Sequence, residues 1–205
     1  MRLKKAELKA FLDEKAEQYN NPEFILTDPI SIPHLFSKKQ DKEISGFLAA
    51  TIAWGQRPTI IRNAKRLVEW MDMQPHEFVL NASEQDLKPF EKFVHRTFNG
   101  IDAVFFMQSL RNIYQKYDSM EELFNASDMK EGIVNFREVF FSVPHEKRSE
   151  KHVSNPNGGS SAKRLNMFLR WMVRQDNKNV DFGIWKNISP ALLQCPLDVH
   201  TARVA

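Results

Sequence analysis

The sequence predicts an all-α protein. Nearly every long segment repeats apolar residues at helical spacing, alternation typical of strands is absent, and only seven glycines occur in 205 residues. Sixteen phenylalanines and an apolar content of 42 % supply material for a large core. No sequence period repeats, which argues against a solenoid. Six or so amphipathic helices with short connections therefore predict a helical bundle, as one large domain or two small lobes.

In the first half of the chain, prolines and caps mark where helices begin. Pro58 suits the first turn of a helix that follows the tight break at Gly55. Ser83 and Asp86 have the spacing of a capping box. The predicted elements of this half are a helix over 3–19, an extended connector over 22–39, a helix over 41–54, a helix from Pro58, and shorter helices over 75–81 and 83–93.

The second half is predicted from three helix starts and one long polar segment. Asp102 begins one helix, Ser119 and Glu122 form a capping box, and Asp128 caps the next helix. The basic, polar segment 143–157 is long for a loop in a compact domain, which favours a functional or mobile segment. The remaining predicted elements are a helix over 161–175 and a final helix capped by Asp198, which the chain end at Ala205 interrupts.

Composition narrows the classes of function. The net charge of +3 permits nucleic-acid binding without requiring it. Cys195 is the only cysteine, so no intrachain disulfide or cysteine-based metal site can form. Six histidines lack metal-ligand spacing, and we expect neither a metal nor another cofactor. No apolar run has membrane-spanning length, and we expect a cytoplasmic protein that does not contact membranes.

Two residues near the C-terminal end could carry chemistry. Lys163 follows a glycine turn in the first turn of a helix, where the positive end of the helix dipole disfavours an ammonium and so favours a nucleophilic amine. Asp198 could stabilise a sugar cation or assist proton transfer. Each residue also has a structural interpretation, because most lysines are solvated and aspartate is a preferred helix cap.

Two turns are candidate nucleic-acid contacts. The turn 157–161 precedes a helix, so its backbone amides could bind phosphate, although such a turn also forms for its backbone angles alone. The turn 54–57 separates two helices, and Gln56 and Arg57 could enter a base stack, although polar loop residues are often idle. The candidate contact residues are Gln56, Arg57, Gly158, Gly159, Ser160, Ser161, Arg164 and His200.

These residues together resemble the helix–hairpin–helix superfamily of DNA base-excision glycosylases, which includes endonuclease III and the oxoguanine glycosylases. The segment Cys195-Pro-Leu-Asp198-Val-His200 is similar to the one that carries the catalytic aspartate of that superfamily. Gly159-Ser-Ser-Ala-Lys163 resembles its hairpin, with Lys163 on the Schiff-base lysine and Ser161 in place of the second glycine. Residues 47–56 resemble the helix and turn whose tip, here Gln56, fills the gap left by a flipped base. The whole chain is also similar to an uncharacterised family of bacterial cytoplasmic proteins.

The resemblance implies an architecture and an activity. It implies two helical lobes with a cleft between them, a central bundle over 41–140 and a second lobe made of 1–40 and 143–205. It implies duplex DNA, possibly damaged, as the partner, with His200 on backbone phosphate and Lys163 and Asp198 as the catalytic pair of an N-glycosylase and lyase. No protein partner can be inferred. The alternatives are a non-catalytic nucleic-acid-binding module on the same fold and a helical interaction protein that binds no nucleic acid.

Overall fold

A computed structural model describes residues 4–196 of the protein. That part of the chain is mostly helical and confirms the all-α class. The α-helices are α1 (Lys5–Tyr19), α2 (Pro22–Ile25), α3 (Lys39–Thr51), α4 (Arg57–Glu69), α5 (Pro75–Asn81), α6 (Glu84–Glu91), α7 (Gly100–Tyr114), α8 (Glu121–Phe124), α9 (Met129–Phe140) and α10 (Lys163–Val173). Short 3-10 turns cover Pro29–Ser31, Pro33–Leu35, Lys147–His152, Pro156–Gly158 and Pro190–Leu192.

Local capping residues place the helix starts where the sequence predicts them. Ser83 and Asp86 form the reciprocal capping box of α6. Asp128 caps α9 by accepting a hydrogen bond from a backbone amide three residues later. At α8 the Glu122 carboxylate accepts from the Ser119 amide at 3.2 Å, which is one half of the predicted capping box. The other half is not formed, because the N-cap residue of α8 is Met120, which provides no side-chain cap. Caps of this kind are worth about 1 kcal/mol each, because they satisfy amides that the helix leaves without a partner.

The prediction of an extended connector over 22–39 is wrong. The segment forms α2 and two 3-10 turns, because Asn21 and Asp28 accept hydrogen bonds from amides that follow them and prolines occupy the first helical positions. Ile30 and Ile32 are almost fully buried by this folding. The three prolines therefore start short helical turns and do not hold the segment open.

A short β-ladder was not predicted. Strands β1 (Val94–His95) and β2 (Phe98–Asn99) pair antiparallel between α6 and α7. Four paired residues are too few to produce a detectable alternation of apolar and polar side chains. The ladder fixes the position of His95, which contacts the candidate site described below.

The core is organised around Phe47 in α3. Its ring lies 5.2–5.8 Å, between centroids, from four other phenylalanine rings, mostly edge to face. These partners come from α7, α9 and α10 and are Phe106, Phe136, Phe140 and Phe168. Helix α10 is thus anchored on α3 through Phe168, and this packing brings the start of α10 beside the end of α3.

Glu43 is a fully buried carboxylate at the base of α3. Its oxygens accept hydrogen bonds from the Tyr114 hydroxyl at 2.7 Å, the Trp185 indole N–H at 2.6 Å, the Met120 amide at 3.2 Å and the Ser119 hydroxyl. Burial raises the pKa of the Glu43 carboxyl, and these four donors oppose that rise. Because the donors come from three different segments, Glu43 ties α3 to α7, α8 and the segment after α10.

Helix α1 lies at the edge of the molecule and contributes no buried residue to it. Its contacts with the body are at its C-terminal end, where Lys178 binds Glu17 and Asn20 binds Asp176. Within residues 4–196, no helix combines the length and the apolar character needed to cross a membrane.

Candidate nucleic-acid interface

The turn between α3 and α4 presents an exposed tip. Gly55 has φ +111°, in a region that glycine adopts without strain, and lets the chain reverse between Trp54 and Gln56. Gln56 is the N-cap residue of α4, yet its side chain makes no capping hydrogen bond and is exposed. Arg57 begins α4 and lies over the Phe24 ring, with a guanidinium nitrogen 4.0 Å from Asp28. At the tip, the Arg57 guanidinium thus has contacts within the protein, whereas the exposed side-chain amide of Gln56 is not used to cap α4.

The glycine turn before α10 uses its amides internally. The amides of residues 157–160 donate to Asn155 and Pro156. The Ala162 amide donates to the Ser160 hydroxyl at 3.2 Å. Gly159 has φ +82° and open space around the position where a Cβ would lie. Gly158, Gly159 and Ser160 therefore shape the turn, and their amide groups are already engaged there.

The turn enters α10 in a left-handed conformation at Ala162 and not at Ser161. Ala162 has φ +45° and is buried, whereas Ser161 is exposed and has no positive φ. Ser161, at the position where the helix–hairpin–helix resemblance leads us to expect a glycine, therefore does not strain the backbone of this chain. The Asn166 side chain holds the bend by donating to the Ser161 carbonyl at 3.0 Å.

The first turn of α10 has the features of an anion-binding helix start. Its N-cap residue, Ala162, provides no side-chain cap, and the first turn contains no acidic residue. Lys163 and Arg164 are its first two residues, and Lys163 is exposed. Amides at an uncapped helix start and the positive end of the helix dipole both favour a bound phosphate.

Arg164 joins this helix start to the turn after α3. Its guanidinium donates a hydrogen bond to the Thr51 carbonyl, at the last residue of α3. The same guanidinium lies over the Trp54 ring, with 4.6 Å from Cζ to the ring centroid. Burial lowers the pKa of the Arg164 guanidinium. Arginine side chains nevertheless stay protonated in proteins. The structure thus brings together two turns that lie more than one hundred residues apart.

Two histidines hold Trp54 from other directions. The His152 ring is stacked on the indole, with 6.0 Å between centroids and 20° between planes. The His95 ring meets the indole edge to face at 5.1 Å. His95 Nε2 lies 3.1 Å from the Trp54 carbonyl, and its Nδ1 lies 2.8 Å from the Asn63 amide nitrogen. Because the amide nitrogen donates, His95 is neutral with its proton on Nε2, in keeping with a pKa lowered by burial.

Asp102 binds the segment that carries His152, the histidine stacked on Trp54. It is fully buried and accepts hydrogen bonds from the Asn99 amide at 2.9 Å and the Ser149 hydroxyl at 2.6 Å. Arg148 binds the same carboxylate at 3.0 Å, and His152 Nε2 lies 3.2 Å from it. The segment predicted as a long polar loop is therefore fastened to the start of α7, and two of its basic residues serve this internal contact.

The pKa of Asp102 predicts a specific acid sensitivity. Burial raises the pKa of the carboxyl, but His152, Ser149 and the Asn99 amide outweigh burial and hold the pKa at about 2, against an ordinary 3.8. A lowered pKa stabilises the fold above the ordinary value, and that stabilisation is lost as pH falls toward the folded value. The shift corresponds to about 2 kcal/mol in the free energy of unfolding.

The measurement compares the protein with Asp102→Asn by urea unfolding at a series of pH values. The advantage of the unsubstituted protein should shrink by about 2 kcal/mol between about pH 4 and about pH 2. The comparison with Asp102→Asn is needed because burial raises the pKa of Asp28 and Glu43. Protonation of these two carboxyls at low pH stabilises the fold, which is opposite to the effect of protonating Asp102, and the difference between the two proteins removes that contribution. A difference that stays constant with pH would show that Asp102 does not titrate in this range.

Some residues at this surface, or buried beneath it, were not predicted. Arg96, at the tip of the β-ladder, lies against Gly55, with its guanidinium 3.5 Å from the position of an added Cβ. His95, Asp102 and His152 support Trp54, although they lie 41 or more positions from it in the sequence. Asp102 was visible only as a helix start, since its spacing gives no sign of a partner in the 143–157 segment.

Of the two residues predicted to be catalytic, one lies within the described part of the chain. Lys163 lies at the start of α10, whereas Asp198 and His200 lie outside the described residues, as does the final helix that Asp198 was predicted to cap. Over residues 4–196, no group of three or more His, Cys, Asp or Glu side chains is arranged to hold a metal ion.

The fold and this surface define a helical protein with an exposed turn joined to an uncapped, basic helix start. The chain belongs to DUF2400, a family of proteins of unknown function, whose model matches residues 28–205. Helix α1 lies outside the matched residues. No curated protein and no solved structure matches the chain. The family match carries no link to the helix–hairpin–helix glycosylases.

Proposed function

We propose that the protein binds duplex DNA at the surface formed by the turn 54–57 and the first turn of α10. The observation that carries the proposal is the bridge made by Arg164, which joins the start of α10 to the Thr51 carbonyl and the Trp54 ring. It places an uncapped helix start beside an exposed tip. A DNA-binding protein needs both, because phosphate contacts fix its position and a nearby side chain reads or disturbs the bases.

The phosphate contact is assigned to the start of α10. No acidic residue occupies its first turn, and its N-cap residue provides no side-chain acceptor. In this proposal Gly158, Gly159, Ser160 and Ser161 shape the approach to the helix, and His200 adds a further phosphate contact from outside the described residues. A helix start used in this way binds any sequence, because it contacts the backbone and not the base edges.

The base contact is assigned to Gln56, supported by Trp54. Gln56 is exposed at the tip, and the indole beneath it is held by His95, His152 and Arg164. Unstacking a base costs a few kcal/mol. Contacts made by the inserted side chain must offset that cost, and a side chain on a rigid support makes such contacts with a smaller loss of conformational entropy than a mobile one. The Gln56 amide would fill the space left when a base turns out of the duplex, and Arg57 would contact the neighbouring strand.

The reaction class we propose is N-glycosylase and lyase chemistry, on two helical lobes, 41–140 and 1–40 with 143–205. The Lys163 amine forms a bond to C1′ as the bond from C1′ to the base breaks, and the base leaves with the bonding electrons and gains a proton. Asp198 stabilises the positive charge on the sugar and assists proton transfer. Ring opening gives an imine, and loss of a C2′ proton then expels the 3′ phosphate and cleaves the strand.

Trapping of the imine tests the reaction. Borohydride reduces such an imine to a stable amine, so incubation with lesion-containing duplexes should yield a covalent protein–DNA adduct of higher apparent mass. The Lys163→Ala variant should yield none, because the nucleophile is absent. Lys151→Ala, at an exposed lysine of the preceding segment, is the matched control and should trap like the unsubstituted protein.

The trapping and binding experiments distinguish a wrong reaction from a wrong binding partner. An absence of adduct from any lesion, combined with salt-sensitive duplex binding that survives Asp198→Asn, would replace the enzyme by a non-catalytic nucleic-acid-binding module. An absence of binding even at low salt would overturn the whole proposal and leave a helical interaction protein.

A further inference from the structure

A second feature beside the tip is an open groove on the outer face of α4. It has a volume of about 650 Å³ and lies between residues 26–27 and the side chains that α4 presents from Arg57 to Lys65. The floor is apolar, formed by Leu26, Pro58 and Ile61, and the side chain of Leu26 is 78 % exposed. A single exposed apolar side chain is ordinary on a protein surface, so the observation that matters is that Leu26, Pro58 and Ile61 line one groove together.

Cations line this groove, and none of the lining residues within 4–196 is acidic. The three basic lining residues are Arg57, Arg62 and Lys65. Acidic groups do lie nearby, because Arg57 is 4.0 Å from Asp28 and Lys65 is 3.7 Å from Glu69. Both pairs have an exposed cation, and such pairs contribute little energy and can exchange partners with a bound anion. The groove therefore has a positive rim around an apolar floor.

We infer that this groove holds the phosphodiester backbone of one DNA strand that continues past the tip at Gln56. The inference rests on the proposed function, since it extends the same DNA contact along α4. Arg57 connects the groove with the tip, because it follows Gln56 directly and also lines the groove. The cations would contact phosphates while Leu26 and Ile61 cover the apolar edge of the deoxyribose rings.

Dimensions agree with a backbone contact. Arg57 and Lys65 are eight residues apart in one helix, which corresponds to a rise of about 12 Å. Each strand of B-form DNA carries one phosphate per ~3.4 Å of axis, so a helix that lies along the axis spans about three to four phosphates over this distance. Among the described residues that line the groove, none carries an aromatic ring on which an unpaired base would stack. These features favour a strand within a duplex over a single strand.

Counting released counterions tests the inference. Each phosphate contact contributes about −0.9 to the slope of log affinity against log salt. Arg62→Gln combined with Lys65→Gln should therefore make that slope shallower by about two and weaken duplex binding on the order of tenfold at moderate salt. The matched control is Lys88→Gln combined with Lys92→Gln at the exposed end of α6, which removes the same charge. The control should leave the slope within about half a unit of its original value.

A third variant tests the apolar floor. Leu26→Ser should weaken duplex binding about threefold without changing the salt slope, because it removes apolar contact and no charge. The failures are distinguishable. Duplex binding with the same slope in the α4 variant and in its α6 control would overturn the groove while leaving the proposed function in place. An unsubstituted protein that binds no duplex would overturn both.

One result would assign the groove to another partner. An acidic amphipathic helix also matches an apolar floor with a positive rim. If Arg62→Gln with Lys65→Gln abolishes binding of a labelled helical peptide of glutamate and leucine but leaves duplex affinity unchanged, the groove is a protein-docking site and the inference is wrong.

Discussion

Replacing Glu43 by glutamine is expected to lower the free energy of unfolding by about 3–4 kcal/mol. The two carboxylate oxygens each accept two hydrogen bonds, from the Ser119 hydroxyl and the Trp185 indole N–H on one side and from the Tyr114 hydroxyl and the Met120 amide on the other. Glutamine puts an NH₂ group, which is a donor, in place of one of these oxygens. The two buried groups that donate to that oxygen then lose their acceptor. For a chain of this length the melting temperature should fall by roughly 10 °C.

The measurement is thermal and urea unfolding of Glu43→Gln beside Glu138→Gln, which changes an exposed glutamate of α9 in the same way. The Glu138 variant should stay within about 0.5 kcal/mol of the unsubstituted protein. A small loss for Glu43→Gln as well would mean that the Glu43 carboxyl is already neutral near pH 7. The direction of its pKa shift, raised by burial, makes that outcome a real test.

The second large effect is expected from Arg164→Met. The substitution keeps an unbranched stem as far as the position of Nε but removes the guanidinium, and with it the donor to the Thr51 carbonyl and the cation over Trp54. A carbonyl without its donor at a buried residue costs about 1–3 kcal/mol, and the lost cation–π contact adds about 1 kcal/mol. We expect the free energy of unfolding to fall by about 2–4 kcal/mol in total. We also expect duplex affinity to fall on the order of tenfold, because the two turns lose their relative position.

Salt dependence separates a positioning role from a direct contact. If Arg164 only positions the two turns, the slope of log affinity against log salt stays unchanged although affinity falls. A phosphate contact by Arg164 would instead make the slope shallower by about one and leave stability nearly intact. That result would support the direct DNA contact predicted from the sequence and contradict the positioning role. Lys151→Met, at an exposed lysine, serves as the control for the loss of one positive charge.

Local signals in the sequence predicted most helices of the fold. The capping residues Ser83 and Asp128 gave two helix starts, because a cap depends on residues only three positions apart. The connector over 22–39 was misread because proline marks both extended segments and the first turn of a helix. Asn21 and Asp28, which accept hydrogen bonds from later amides, decide between those two structures.

The candidate site could be predicted only in pieces. Gln56 was recognisable as a turn residue and Lys163 as a first-turn lysine, because both properties are local. The bridge by Arg164 was not recognisable, since its partner carbonyl at Thr51 lies 113 positions earlier. The support of Trp54 by His95, His152 and Asp102 was hidden for the same reason.

By itself the sequence determined the helical class, the positions of the exposed turns and the local character of the residues in them, because helical periodicity, caps and charge act over a few residues. The tertiary structure alone decided that the turn after α3 and the start of α10 form one surface, and that Arg164 and Arg148 serve mainly internal contacts. The packing of Phe168 on Phe47 sets that arrangement. Contacts between distant segments form when apolar faces pack in a common core, and no short stretch of sequence records which faces will meet.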